Sequence, residues 1–75
     1  MDADIEEMVH IVKKGDNLWN IVKDKLTQRN GGAIPSDKEI MEGVGRMMEE
    51  NGLHWESDGY VVLIYPEQRL NYNTL

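Results

Sequence analysis

The chain has 75 residues, eight lysines and arginines against fourteen aspartates and glutamates, a net charge of −6, and no cysteine. At this length folding buries only roughly 60% of the surface the unfolded chain exposes, so the core supplies about 3–5 kcal/mol at best. Disulfides and thiolate zinc sites are excluded, two histidines are too few for a metal site without carboxylates, and an acidic total argues against a nucleic-acid partner, whose affinity comes mostly from phosphate neutralisation.

The charge is unevenly placed. Residues 1–7, "MDADIEE", carry four acids and no base, where a secretory signal is expected to be basic. We read them as an acidic tail before one domain spanning residues 8–75. Residues 8–30 hold Lys13, Lys14, Lys23, Lys25 and Arg29 against Asp16 and Asp24, five bases to two acids and a local +3. Lysines on the solvated side of a helix account for this excess. The longest apolar run, residues 60–65, is far short of the ~20 needed to span a bilayer.

In chain order, "EMVHIVKK" alternates and is rich in branched residues, which predicts a strand over residues 8–12. His10 and Val12 are expected to face the helices, with Val9 and Ile11 on the far side. Gly15 ends the strand, and Asp16 or Asn17 then serves as a helix N-cap, with the balance for Asp16 itself favouring a cap over a ligand. Leu18, Ile21, Val22 and Leu26 follow at i, i+3, i+4 and i+8, predicting an amphipathic helix over about 18–28 that "RNGG" terminates. Ser36 and Glu39 form a capping box for a second helix, which carries Ile40, Met41, Val44, Met47 and Met48 on one face and stops near Asn51-Gly52. Gly43 and Gly45 inside it each cost about 1 kcal/mol relative to alanine, and a close helix–helix approach is the expected reason. The methionines are assigned to filling a small core in preference to lining a binding groove.

Beyond Gly52, residues 53–55 and 60–62 can form a small hairpin through Ser57-Asp58-Gly59. Pro66 interrupts the β-prone run, so residues 69–72 make a separate strand. The order strand, helix, helix, strand predicts an α+β fold: a two-stranded antiparallel sheet with two helices packed on one face, and an extra small hairpin before the last strand.

Two motifs in this frame match a known family. "HIVKKGDNLWNIVKDKL" resembles the first half of a LysM domain, whose usual pattern is aromatic-x-Val-x-x-Gly-Asp-Thr-Leu-x-x-Ile-Ala. "IMEGVGRMMEENGL" resembles that family's second helix, and "LIYPEQRL" its closing Leu-Ile-x-Pro-Gly-Gln-x-Leu. The resemblance runs from about Val9 to Tyr72. It implies the same strand–helix–helix–strand fold and binding of N-acetylglucosamine-containing polysaccharide, peptidoglycan or chitin, in a shallow groove between two loops. Carried over, these loops are Gly15, Asp16, Asn17 and Leu18 on one side and Leu63, Ile64, Tyr65 and Pro66 on the other. It also implies a cell-envelope or extracellular setting, with tethered domains or assembly partners.

The sequence departs from the pattern at four places. His10 stands for the usual tyrosine, Asn17 for threonine and Glu67 for the glycine after proline, and the "HWESDGYVV" link is about five residues longer than usual. Spacing to Val22 and Leu26 assigns Trp19 to packing, while Tyr65 is the better candidate for a sugar-facing ring. The histidine and acids of "HWESD" are adjacent positions on a turn, which rarely converge on a metal, and no serine has a histidine–acid partnership. The expected function is therefore a non-catalytic, cofactor-free and metal-free carbohydrate-binding module. The alternative is a LysM-like structural module that binds protein in envelope, secretion or phage-tail assembly.

Overall fold

The four expected elements form in the expected order, in a computed structural model that describes residues 8–55 and 62–75. Strand β1 is Val9–Ile11 and pairs antiparallel with β2, Arg69–Asn71, in the register Val9↔Asn71, His10↔Leu70 and Ile11↔Arg69. Directly opposed residues share a face, so His10 and Leu70 lie together and Val12 joins them two residues on. Leu70 and Val12 are buried, while Ile11 and Arg69 on the opposite face are exposed. The expected orientation of the pair therefore holds. The acidic tail and most of the hairpin reading fall on residues 1–7 and 56–61, outside the described residues; 53–55 belong to no strand.

Helix α1, Leu18–Arg29, starts where Asn17 adopts an extended conformation and its side-chain oxygen accepts the Asn20 N–H at 2.8 Å. The cap is thus Asn17, and the expectation for Asp16 is corrected: its carboxylate turns back to the preceding loop. The helix ends on paired bonds, Gly32 N–H to Thr27 C=O and Gly31 N–H to Gln28 C=O, with Gly31 at φ +70°. This is the reciprocal 6→1 and 5→2 closure that a left-handed residue after a helix allows.

Helix α2, Asp37–Asn51, begins with the expected capping box: Ser36 Oγ accepts from Glu39 N–H at 3.2 Å, and Glu39 Oε1 accepts from Ser36 N–H at 2.9 Å. Gly52, at φ +66°, ends it, and the Leu53 N–H reaches the Met48 carbonyl. Its last residue also reaches the sheet. The Asn51 amide accepts the Asn71 N–H and donates to the Asn71 carbonyl, both at 2.8 Å, occupying the backbone groups β2 turns away from β1.

The two glycines of α2 have different fates. A Cβ on Gly43 would lie 2.7 Å from Val22 Cγ1 and 3.1 Å from Leu75 Cδ2, whereas one on Gly45 would meet nothing within 4 Å. Close approach of α1 and α2 is therefore set at Gly43, and Gly45 has no packing reason in the described structure. Around that contact the core collects Ile21, Val22 and Leu26 from α1, Ile40, Val44, Met47 and Met48 from α2, and Val12 and Leu70 from the sheet. Met47 and Met48 fill core space as expected, but Met41 stays about half exposed.

Residues after β2 are strapped back over the helices. Glu50 accepts from the backbone N–H and side-chain amide of Asn73 and from the N–H and hydroxyl of Thr74, at 2.8–3.2 Å. Arg46 donates to the Thr74 carbonyl and Arg29 to the Leu75 backbone oxygen. From α1, the Lys25 ammonium stands 4.8 Å from the Tyr72 ring centre. Burial pushes the Glu50 pKa up, but the four hydrogen bonds together outweigh it and hold the carboxyl below the usual range.

Two outcomes follow. Gly43→Ala should destabilise by about 1–3 kcal/mol through overpacking against Val22, while Gly45→Ala should stabilise by up to ~1 kcal/mol; equal effects in thermal melts would contradict the packing. For Glu50 the folded pKa is depressed, so its contribution is full above the unfolded carboxylate value and is lost as pH falls. Stability should decline below about pH 4.5, and Glu50→Gln should flatten part of that decline.

Candidate functional site

Two β-turns meet at the end of the sheet, and they are built alike. In the first, residues 13–16, Asp16 N–H donates to the Lys13 carbonyl at 2.9 Å while Asp16 Oδ2 accepts the Lys13 N–H at 2.9 Å. In the second, residues 65–68, Gln68 N–H donates to the Tyr65 carbonyl at 3.0 Å while Gln68 Oε1 accepts the Tyr65 N–H at 2.9 Å. Each turn is closed twice, once by backbone and once by the side chain of its fourth residue. Val12 joins them, donating its N–H to Gln68 and receiving the Glu67 N–H on its carbonyl.

Both turns need a left-handed third residue. Gly15 supplies φ +91° at no steric cost. The other turn places Glu67 there at φ +73°, directly after Pro66. A type II turn prefers glycine or asparagine at that position, and a residue with a Cβ costs roughly 1–2 kcal/mol. Glutamate at this position thus keeps the turn geometry at the expense of backbone strain.

His10 reaches the first turn from β1, with Nε2 3.0 Å from Asp16 Oδ2. That hydrogen bond first, and the Lys13 N–H second, hold the Asp16 carboxyl below the usual aspartate range. The histidine standing where the resemblance expects tyrosine therefore ties the strand to the turn that precedes α1. Among the described residues no group of histidines and acids converges as a metal site.

Beside the turns runs a groove of about 690 Å³, lined by Asn17, Leu18, Trp19, Asn20, Met41, Val44, Trp55 and Val62. The first turn of α1 forms one wall, α2 contributes Met41 and Val44, and the chain on either side of residues 56–61 closes the other wall with Trp55 and Val62. No ionisable side chain stands among the described residues of this lining. The chemistry offered is two indole rings and aliphatic surface, with the Asn17 and Asn20 amides at the rim.

Of the eight residues expected from the sequence, Asn17 and Leu18 line this groove. Leu18 does so from a buried position in the floor. Gly15 and Asp16 lie in the first turn, immediately before it. Leu63, Ile64, Tyr65 and Pro66 continue from Val62 into the second turn; Tyr65 is 61% exposed and Ile64 packs on the core. Trp19 is half-buried against the core and lines the groove as well, so packing and site roles coincide in one ring. Asn20, Met41, Val44, Trp55 and Val62 were not expected. Only the juxtaposition of α1, α2 and the last loop brings them together.

Comparison of the chain with protein-family models, curated proteins and solved structures found no match in any of the three.

The caps and turns separate cleanly by mutation. Asn17→Ala should cost about 1 kcal/mol through loss of the α1 cap. Asp16→Ala should instead free the Lys13 amide, which then exchanges faster with solvent, while the Asn20 amide stays protected. Faster exchange of Asn20 in Asp16→Ala would return the cap to Asp16.

Proposed function

We propose that this chain is a non-catalytic module binding N-acetylglucosamine-containing glycan along the groove. The observation that carries the reading is that the described residues of the lining are uncharged: Trp19 and Trp55 stand with Met41, Val44 and Val62 beside the amides of Asn17 and Asn20. A sugar ring presents an apolar face that indole and aliphatic surface receive. Its N-acetyl group offers a methyl, a carbonyl and an N–H, which suit apolar surface and side-chain amides in turn. The resemblance to LysM domains in the Gly15–Leu18 and Leu63–Pro66 stretches supports the same ligand.

The two doubly closed turns serve this function by rigidity. A shallow site gains little from each contact, and a module of this kind binds in the μM to mM range, about 4–8 kcal/mol. Ordering loops on binding would consume part of that, so preformed turns matter. Several modules, or one tethered to another domain, would raise the effective affinity without new contacts.

Titration with N-acetylglucosamine oligomers followed by amide signals should move residues 15–20, 41, 44, 55 and 62–66, with affinity rising with oligomer length. Salt should have little effect, since the ligand is neutral. Trp55→Ala and Tyr65→Ala should each weaken binding by ~1 kcal/mol or more, from the apolar area lost, and Tyr65→Ala should melt near wild type. If millimolar oligomer moves no signals and the protein ignores insoluble peptidoglycan and chitin, the structural-assembly alternative takes its place.

A further inference from the structure

Among the described residues Glu67 is the one non-glycine residue with positive φ. Its backbone duties, an N–H to the Val12 carbonyl at 2.6 Å and the third place of the 65–68 turn, require no side chain. Glycine would perform both without strain. What glutamate adds is its carboxylate, and that group is exposed and makes no hydrogen bond or ion pair among the described residues. Lys13 and Lys14, both in the 13–16 turn, form no ion pair with it either. The strain therefore has no return among the described residues, and an exposed carboxylate projects from a rigid turn.

Two further observations indicate the ligand chemistry. Tyr65, in the same turn, exposes 61% of its surface, so a ring and a carboxylate stand two residues apart around Pro66. The ring face attracts cations and sugar faces alike. The chain as a whole carries −6, which favours approach of a cationic ligand over an anionic one. Glu67 lies five positions beyond Val62 in the groove wall, at most about 18 Å of chain, within reach of an extended oligosaccharide.

We propose that Glu67 selects glycans bearing free 2-ammonium groups, that is, partly de-N-acetylated glucosamine polymers. N-acetylated units occupy the groove while the Glu67 carboxylate pairs with the ammonium of a neighbouring unit beside Tyr65. This rests on the reading of the groove as a glycan site.

The test compares fully N-acetylated and partly de-N-acetylated glucosamine oligomers of equal length, by calorimetry at slightly acidic pH where the amine is protonated. Wild type, Glu67→Gln and Glu67→Gly are measured, and melting points are recorded for each. Wild type should prefer the partly de-N-acetylated oligomer by up to about fivefold, the range of an exposed ion pair. The preference should shrink at high salt and vanish in both variants, while affinity for the acetylated oligomer is unchanged. Glu67→Gly should also melt a few degrees higher as the strain is released. An equal preference in Glu67→Gln and wild type, no preference in wild type, or no rise in melting point for Glu67→Gly would each overturn the role of Glu67. Binding of the acetylated oligomer in those cases would leave the groove reading standing, and binding of neither oligomer would overturn both.

Discussion

The contact between Val22 and the bare backbone of Gly43 fixes the rest of this structure. With Val22 Cγ1 where a Cβ would otherwise crowd, α1 and α2 approach closely enough for Leu26, Ile40 and Met47 to share one core. A 75-residue chain has little apolar surface to spare. Truncation of one fully buried side chain such as Leu70 or Met47 removes about 2–5 kcal/mol, comparable to all the stability such a core supplies. The same contact positions Leu75 beside Gly43 and so ties the strap after β2, held by Glu50, Arg46 and Arg29, into the helix pair. Helix packing, sheet edge and strap are consequently one cooperative unit.

From that unit the groove follows. Once α1 and α2 are fixed, the first turn of α1 and the Met41–Val44 side of α2 border one cleft, and Trp19 bridges core and cleft. The sheet contributes the other fixed point. Val12 holds two turns against each other by backbone bonds, and His10, Asp16 and Gln68 brace them with side chains. The helix pair leaves the lining residues that α1 and α2 supply little backbone freedom to lose on binding.

Much of this was legible from the sequence wherever chemistry is local. The Ser36–Glu39 capping box, the glycine terminators and the antiparallel pairing of 8–12 with 69–72 depend on neighbouring residues or on period-two alternation. Asp16 and Asn17 were equivalent cap candidates by composition; the turn chose between them, because Asp16 meets Lys13 N–H and His10 on the side away from the helix. Gly43 and Gly45 read identically in the sequence and differ only in whether Val22 and Leu75 lie opposite. The site was half legible for the same reason. Turn residues are announced by glycine and proline, whereas Met41, Val44, Trp55 and Val62 join Asn17 only through the helix crossing and the return of the last loop. Glu67 as the third residue of a type II turn could not be read from propensity, which disfavours it there.

Intermolecular nuclear Overhauser effects between the protein and a short N-acetylglucosamine oligomer test most directly whether the cleft bordered by Trp19 and Trp55 receives an N-acetylated sugar. Contacts are expected from the acetyl methyl to the indole protons of Trp19 or Trp55 and to the Met41 or Val62 methyls. Contacts confined to the far sheet face around Ile11 and Arg69, or none under conditions where the oligomer is in excess, would contradict it.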